Sequence, residues 1–173
     1  YGGNTSAPEM CMPRYNLVGE LWAFHLDCGN WERINTTGPD PGVRARQGMA
    51  VDTSRNRALL FGGRDRVGFG EYENFNDVWA LDLATDTWSE VSTSGDAPTP
   101  KSTPVVGYDE TNDRLLVFGG NTSTGGLTLT GTSEFHALDL ESGVWAGNNH
   151  AVNPGNTPVN ASLFVTALIK VRR

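Results

Sequence analysis

Cysteines, basic residues and long apolar runs are all scarce in this sequence. Lys and Arg number 13 against 20 Asp and Glu, giving a net charge of −7, so the chain lacks the basic stripe that nucleic-acid backbones require. No apolar run approaches the roughly 18 residues needed to cross a bilayer. The first residues also lack the basic and apolar regions of a signal peptide. We therefore expect neither nucleic-acid binding nor membrane insertion.

Only two cysteines occur, Cys11 and Cys28. A disulfide between them and a pair of buried thiols in a reducing compartment are both compatible with their spacing. Helical heptads are absent as well, whereas glycine and proline are abundant, at 21 and 9 residues. This composition predicts a turn-rich β protein with short strands and little helix.

An internal repeat organises most of the chain. Trp31, Trp88 and Trp145 follow one another at intervals of 57 residues, and the same interval relates Gly62-Gly63 to Gly119-Gly120. The segments LWAFHLDCGNW, VWALDLATDTW and FHALDLESGVW share an apolar first position, an Ala in the third and a closing Trp. Self-similarity at a fixed period is the signature of a repeat architecture.

Each repeat unit spells four strands. In the second unit these are GMAVD (48–52), ALLFGG (58–63), VWALDL (78–83) and TWSEV (87–91), separated by polar or glycine-rich turns. The second strand is continuously apolar, which indicates burial on both faces. The glycine pair that ends it predicts positive φ or a close backbone approach.

A four-stranded unit of this length, with Gly-Gly after strand two and Trp in strand four, resembles the Kelch repeat, whose units are the blades of a β-propeller. The resemblance implies an all-β, Kelch-type propeller fold in which the three Trp residues pack between blades. Its boundaries are an incomplete blade (1–37), two blades (38–94 and 95–151) and the inner strand of a further or closing blade (152–173).

Three blades do not close a propeller, because two apolar blade faces would stay open to water. Either the chain is a segment of a six- or seven-bladed propeller, or two copies form a homodimeric ring. In the dimer, the apolar C-terminal segment would complete the first blade of a partner by strand addition. The expected partners are thus the remaining blades or another protein.

The loops predict a binding surface. The loop at 64–76 is charged and aromatic, the equivalent loop at 121–133 is small and polar, and the first loop at 4–19 is longer. Variable loops on matching strands are typical of recognition on a fixed scaffold. We therefore predict a protein-binding or scaffold module, with these candidate binding residues: Arg44, Arg46, Arg64, Asp65, Arg66, Tyr72, Asn74 and Lys101.

In Kelch adaptors of ubiquitin ligases, arginines at similar places bind acidic peptide segments, and the resemblance implies such a role for Arg46 and Arg64 through bidentate carboxylate contacts. The third unit departs from this pattern, because Thr103 stands where Arg46 would recur, although Lys101 matches Arg44. The alternative is that the arginines form solvated pairs with loop acids such as Asp40 and Asp65. Glu20, Asp77 and Glu134 recur before the third strand, and repetition favours a scaffold role for them over a metal ring.

An enzymatic alternative comes from two Kelch relatives, the galactose-oxidase group with copper and the specifier proteins with iron on an E-x3-D-x3-H pattern. Here Glu73 and Asp77 fit that pattern, but Leu81 replaces the histidine. His25, His136 and His150 are scattered, and no Cys-His cluster or Ser-His-Asp arrangement occurs. We expect no enzyme activity, metal or cofactor; the rival is a metal-dependent Kelch enzyme completed by residues outside this segment.

Four N-x-S/T triplets predict glycosylation in loops, and they begin at Asn4, Asn35, Asn121 and Asn160. Together with the cysteine pair they favour a secreted, extracellular protein. A cytoplasmic location is the alternative.

Overall fold

A computed structural model of the chain describes residues 1–4, 16–126 and 128–147. All regular secondary structure in these ranges consists of β-strands, which confirms the all-β class. In chain order the strands are β1 (Leu21–His25), β2 (Asn30–Ile34), β3 (Gly48–Asp52), β4 (Arg57–Phe61), β5 (Arg64–Gly68), β6 (Glu71–Asn74), β7 (Val78–Asp82), β8 (Thr87–Glu90), β9 (Ser94–Gly95), β10 (Val105–Asp109), β11 (Arg114–Phe118), β12 (Phe135–Asp139) and β13 (Val144–Gly147).

The second repeat unit is a four-stranded antiparallel sheet. Its strands lie in the order β3-β4-β7-β8. The four main strands of the unit are therefore arranged in the sheet in the order in which they occur in the chain. All four strands were predicted from the sequence, and β3 has the predicted bounds. As expected from its continuous apolar sequence, Ala58 to Phe61 of β4 are all buried.

The third unit repeats this sheet in the order β10-β11-β12-β13, and β9 adds a short parallel strand outside β13. In the described part of the first unit, the antiparallel pair β1-β2 corresponds to strands three and four. The predicted inner strand at 152–173 and most of the loop at 4–19 lie outside the described residues.

The Gly62-Gly63 pair connects the end of β4 with the segment before β7 and with the third unit. Both residues have positive φ, +65° and +96°, and a Cβ atom on Gly62 would lie 2.8 Å from the Lys101 carbonyl oxygen. The Gly62 amide donates to Asp77 O at 3.2 Å, and the Gly63 amide donates to Lys101 O of the next unit at 3.0 Å. Both of the predicted reasons for the glycines, positive φ and close approach, are confirmed.

The core lies between the sheets. Leu59, Phe61, Val78 and Ala80 on one face of the second unit pack against the third unit, whose contributions are Leu115, Val117, Leu138 and Trp145. The opposite face of the second unit buries another cluster that packs on Tyr1 and Leu21 of the first unit. The burial of apolar area between consecutive sheets is therefore the main stabilising interaction.

The repeated Trp packs on the preceding unit. The Trp88 and Tyr1 ring centroids are 5.1 Å apart, and those of Trp145 and Phe61 are 5.7 Å apart, both edge-on. Trp31 differs: its exposed fraction is 66%, compared with 1% for Trp88 and 2% for Trp145. The expected packing between blades is thus confirmed for two of the three Trp residues, and Trp31 has no preceding unit among the described residues.

Buried aspartates close the hairpins between the first and second strands of each complete unit. Asp52 accepts hydrogen bonds from the Arg57 Nε atom at 2.8 Å and from the Arg55 amide at 3.2 Å. Asp109 makes the equivalent contacts with Arg114 and Asn112. Burial alone would raise the pKa of each aspartate, but these hydrogen bonds and nearby positive charges hold both pKa values below the ordinary 3.8.

The depressed pKa values predict acid sensitivity. A carboxyl group whose pKa is lower in the folded state stabilises the fold above its unfolded pKa and loses this contribution as the pH falls through the folded value. We expect the midpoint temperature of thermal unfolding to decrease as the pH is lowered below about 4. Asp52→Asn should lower the midpoint temperature at neutral pH and make its decrease at acid pH smaller. Thermal unfolding followed by circular dichroism from pH 7 to pH 2 measures both effects. Asp27→Asn, at an exposed turn, is the control, and an unchanged acid profile in Asp52→Asn would refute the assignment.

The packing between units predicts the cost of removing Phe61. Phe61→Ala deletes a fully buried ring that contacts Trp145, so the free energy of unfolding should fall by about 3–5 kcal/mol. Phe69→Ala, at an exposed loop position, is the matched control and should cost no more than about 0.5 kcal/mol. Urea denaturation measures both, and equal losses in the two variants would contradict the packing account.

Candidate functional site

The segment after Gly63, expected to be a loop, contains the antiparallel hairpin β5-β6. This hairpin lies against the equivalent loop of the third unit. The Tyr72 amide donates to Thr124 O at 2.9 Å, and the Gly126 amide donates to Gly70 O at 2.7 Å. We call this surface the loop ridge; it comprises the hairpin Arg64–Asn74 and the described part of the loop at 121–133.

Arg64 and Tyr72 hold the base of the hairpin. The Arg64 guanidinium carbon lies 3.7 Å from the centroid of the Tyr72 ring, a cation–π contact, and both residues are buried. Arg64 and Ala45 also exchange two backbone hydrogen bonds, at 2.9 and 3.0 Å. These two candidate binding residues therefore shape the ridge from below and present little surface of their own.

Three other predicted residues line the sides of the ridge and are half-buried. The Asp65 carboxylate accepts from the Arg66 amide at 2.6 Å, and Arg66 Nε donates to Gly68 O at 3.0 Å. Asn74 Nδ2 donates to Ser123 O of the neighbouring loop at 3.2 Å. Asp65 and Arg66 order the hairpin, and Asn74 ties it to the third unit.

The tip of the hairpin carries two apolar side chains that the candidate residues did not include. The exposed fractions of Val67 and Phe69 are 60% and 79%. The signal in the sequence is the stretch VGFG, in which apolar residues alternate with glycine inside an otherwise polar loop. Exposed aromatic residues at a fixed turn are common anchors in protein interfaces.

Arg44 belongs to the scaffold. Its two terminal nitrogens donate to the two Asp77 carboxylate oxygens at 2.7 and 2.9 Å, and its guanidinium lies 4.4 Å from the Phe75 ring centroid. The Arg44 side chain is 3% exposed. This bidentate pair replaces the alternative of a solvated pair with Asp40, and its burial removes Arg44 from the binding surface.

Lys101 occupies the same place in the third unit. Its Nζ atom donates to Glu134 Oε2 at 2.5 Å, and its side chain is fully buried. Burial lowers the pKa of Lys101, against the opposing effect of Glu134. Burial would raise the pKa of Glu134, but the hydrogen bond and positive charge of Lys101, together with hydrogen bonds from Thr99, lower it. Like Arg44, Lys101 is a scaffold residue and not a surface one.

Two of the three acids that recur before the third strand, Asp77 and Glu134, are the partners of these buried cations and so have a scaffold role, whereas Glu20 pairs with the exposed Arg33. Other donors also reach these acids: Trp79 Nε1 donates to Asp77 at 2.7 Å, Trp22 Nε1 donates to Glu20 at 3.0 Å, and the Thr99 amide donates to Glu134 at 3.4 Å. The basic residue and the acid are 33 positions apart in both the second and the third unit. Sequence reasoning noted both repeats but did not pair them.

Arg46 remains at the surface beside the base of the ridge. It is exposed, and among the described residues it makes no ion pair. Its φ of +62° and the φ of +53° at Thr103 place both residues in the left-handed region, 57 positions apart, and the Thr103 amide donates to Arg46 O at 2.6 Å. Non-glycine residues adopt this conformation only where the surroundings impose it. The inner-strand entrance is thus fixed, and the Arg46 side chain lies exposed beside it.

The sequons and cysteines occupy different environments. Asn121 is 1% exposed and its Oδ1 atom accepts from the Ser123 and Thr130 amides at 3.1 and 2.8 Å, so a glycan on its buried amide is incompatible with this fold. Asn35 and Asn4 are exposed, although the rest of the Asn4 triplet, like Asn160, lies outside the described residues. Cys28 is exposed and has no disulfide partner among the described residues; Cys11 lies outside them.

The described residues contain no group of three or more His, Cys, Asp or Glu side chains placed to hold a metal. Of the partial iron-binding pattern, Glu73 lies exposed on β6 and Asp77 pairs with Arg44. A search of the described part of the chain for helices of membrane-spanning length and apolarity found none.

The buried pair predicts a large effect for Asp77→Asn. Losing the carboxylate charge leaves the Arg44 guanidinium buried without a counter-charge, which should cost about 3 kcal/mol of unfolding free energy. Glu73→Gln, at an exposed carboxylate in the same segment, should cost no more than about 0.5 kcal/mol. Urea denaturation compares them. A variant Asp77→Asn as stable as the control would contradict the assignment of this ion pair to the scaffold.

Comparison with known proteins agrees with this architecture. The family model described as the KLHDC2/KLHL20/DRC7 Kelch-repeats domain matches residues 1–170. Acyl-CoA-binding domain-containing protein 5 of Arabidopsis thaliana is 32% identical over 84% of this chain. Dynein regulatory complex subunit 7 of Chlamydomonas reinhardtii is 30% identical over 61%, and host cell factor of Drosophila melanogaster is 29% identical over 80%.

The aligned regions cover 19%, 9% and 10% of those three relatives, so the chain spans a fifth or less of their length. The match along nearly the whole chain agrees with the repeated four-stranded units, the Gly-Gly pairs and the Trp contacts between units. The chain belongs to the Kelch-repeat family and consists of Kelch β-propeller blades.

Proposed function

We propose that this chain is a protein-binding module that acts without catalysis and presents the loop ridge and Arg46 to its partner. The observation that carries the proposal is the pairing of two dissimilar loops from neighbouring blades into one surface through backbone hydrogen bonds. Family membership supports it at the level of the fold. The exposed sequon at Asn35 supports the use of the module in an extracellular assembly.

The ridge is suited to binding because its backbone is already ordered. The hairpin is hydrogen-bonded within itself, to Ala45 at its base and to Thr124 across the blade boundary. A surface fixed in this way loses little conformational entropy when a partner binds. The side chains that point outward from it are free to vary, because none of them belongs to the buried core.

The side chains suggest the chemistry of the partner. Val67 and Phe69 offer an apolar tip, and Arg46 offers a cation without an ion pair among the described residues. The hairpin also carries Asp65, Glu71 and Glu73, which would repel a uniformly acidic peptide. We therefore expect a protein segment in which one apolar side chain for Phe69 lies near one carboxylate for Arg46.

A peptide library tests this expectation. Panning random peptides displayed on phage against the immobilised chain should enrich sequences that combine an apolar residue with an acidic one. For a synthetic peptide of the enriched sequence, Phe69→Ala and Arg46→Gln should each weaken binding about tenfold, because anchor residues typically contribute more than about 1 kcal/mol. Isothermal titration calorimetry measures the affinities.

Two control variants match the chemistry at other places. Leu83→Ala removes an exposed apolar side chain from the turn between β7 and β8, at the opposite end of the same blade. Arg33→Gln removes an exposed arginine from β2. Both should bind within about twofold of the original chain, since neither residue lies on the ridge. The proposal fails if no sequence is enriched, or if the controls weaken binding as much as the ridge variants.

A further inference from the structure

The third blade buries a histidine where the second blade has a tryptophan. His136 and Trp79 are 57 positions apart, and both are buried. Trp79 Nε1 donates a hydrogen bond to Asp77 at 2.7 Å, whereas the Nδ1 atom of His136 has no hydrogen-bond partner among the described residues. A buried polar atom without a partner is uncommon in folded proteins and needs an explanation.

Two further residues differ between these blades at the same place. Gly147 lies directly opposite His136 on β13, whereas the second blade has Glu90 at that position. Asp96, which follows β9, stands where the second unit has Pro39. We call His136, Gly147 and Asp96 the histidine row, because they lie on or beside the neighbouring strands β12, β13 and β9.

Gly147 allows a carboxylate to approach the imidazole. A Cβ atom at this position would overlap the Asp96 carboxylate and would lie 3.1 Å from His136 Nε2. The Asp96 amide donates to Trp145 O at 3.3 Å, which holds Asp96 beside β13. The histidine row therefore brings a buried histidine close to a carboxylate at the outer edge of the blade.

The histidine row also contacts the packing between the second and third blades. The His136 ring stands edge-on to the Trp145 ring, with centroids 6.5 Å apart and planes at 85°. Trp145 in turn packs edge-on against Phe61 of the second blade. A positive charge on His136 would thus arise next to the aromatic contact that joins the two blades.

Among the described residues, three charged groups act on His136, and they are Glu134, Asp96 and Lys101. Burial lowers the pKa of His136 below the ordinary 6.5; the two carboxylates oppose this effect, and Lys101 adds to it. The Glu134 carboxylate already accepts hydrogen bonds from Lys101 and Thr99. The ring is therefore neutral at pH 7, and its protonated form is disfavoured while the blade is closed.

Strand β9 is the part of this blade that can move to hydrate the ring. It is two residues long, both residues are exposed, and it pairs with β13 at the edge of the sheet. The Ser94 amide donates to Gly143 O at 2.9 Å, and the Asp96 amide is the next donor along the segment. Short, exposed edge segments of this kind open locally at a small cost in free energy.

We propose that the histidine row is a pH-sensitive latch, in which protonation of His136 releases β9 and Asp96 from the edge of the third blade. Release lets water solvate both N–H groups of the imidazolium. Because the pKa of His136 is lower in the closed blade than in the open one, the open blade binds more protons and acid favours it. The latch is closed at pH 7 and loosens as the pH falls towards 5. It does not depend on binding at the loop ridge, so either proposal can fail alone.

Hydrogen exchange of the Ser94 and Asp96 amides tests the latch. The exchange rates, measured by NMR, are divided into those of an unstructured peptide at the same pH to give protection factors. Between pH 7 and pH 5 the protection should fall by more than about threefold, with a ceiling of about 25-fold set by the ordinary histidine pKa of 6.5 in the open form. The Thr37 amide is the internal control, since it holds the equivalent segment on the second blade by donating to Asp86 O at 3.0 Å. Its protection should not change.

Substitution of His136 separates its titration from that of other groups. His136→Phe keeps an aromatic ring in the site but cannot be protonated, so the protection of Ser94 and Asp96 should stay constant between pH 7 and pH 5. His25→Gln is the control at an exposed histidine, and it should retain the full fall in protection.

Asp96→Asn makes the opposite change. It removes a carboxylate that favours the imidazolium in the closed blade, so the protection of the Ser94 amide should fall more steeply with acid. A merely structural role for Asp96 would change this protection by the same factor at every pH. Because Asp96 is exposed, this variant tests the latch even if His136→Phe does not fold.

Constant protection of Ser94 and Asp96 in the original chain would overturn the proposal. An equal loss of protection at Thr37 would also overturn it, because the opening would then not be specific to the third blade. A fall that persists in His136→Phe would assign the pH dependence to another group and contradict the latch.

Discussion

The contact between an aromatic side chain at the end of one blade's second strand and the Trp of the next blade sets the arrangement of this protein. Each blade is a small sheet with apolar residues on both faces, and such a sheet is stable only when neighbouring sheets cover it. Phe61 against Trp145 and Tyr1 against Trp88 are the two instances among the residues that the structure describes. The relative positions of consecutive blades, and of the loops that they carry, depend on this stacking.

Ion pairs inside each blade support the same arrangement. Arg44 with Asp77 and Lys101 with Glu134 connect the start of the inner-strand segment to the start of the third strand. The aspartates Asp52 and Asp109 close the hairpins at the other end of the blades. Packing and these buried charges hold the strands in place. Apart from the hydrogen bonds that they make, the loops are therefore not needed to hold the sheets together. They can differ in sequence while the sheets remain alike, and this is the physical basis of the proposed binding surface.

The sequence predicted most of the fold because the repeat aligns chemically similar positions. The strand GMAVD, the buried run ending in Phe61 and the Gly62-Gly63 pair could all be identified from their pattern. The pairing of Arg44 with Asp77 was missed, because a charge repeated in register indicates a common role but not its partner. Arg44 and Lys101 consequently looked like surface residues, although each is buried beside a carboxylate.

The candidate site was harder to predict, for two physical reasons. The hairpin β5-β6 has a charged sequence whose apolar residues alternate only with glycine at the tip, so its strand conformation depends on contacts with Ala45 and Thr124. The burial of Asn121 likewise depends on backbone donors from its own loop, which a sequon does not reveal. Trp31 was expected to pack like the other two Trp residues, and its exposure depends on which blades are present, which periodicity alone does not determine.

The central claim is that the packing of neighbouring blades carries two loops into one preformed surface. Amide hydrogen exchange, resolved by NMR, tests it most directly at Tyr72 and Gly126, whose amides donate across the blade boundary to Thr124 and Gly70. The account predicts that both amides are protected and exchange together, through a shared opening. Exchange of both amides at the rate of an unstructured peptide, while the amides of β4 remain protected, would contradict it.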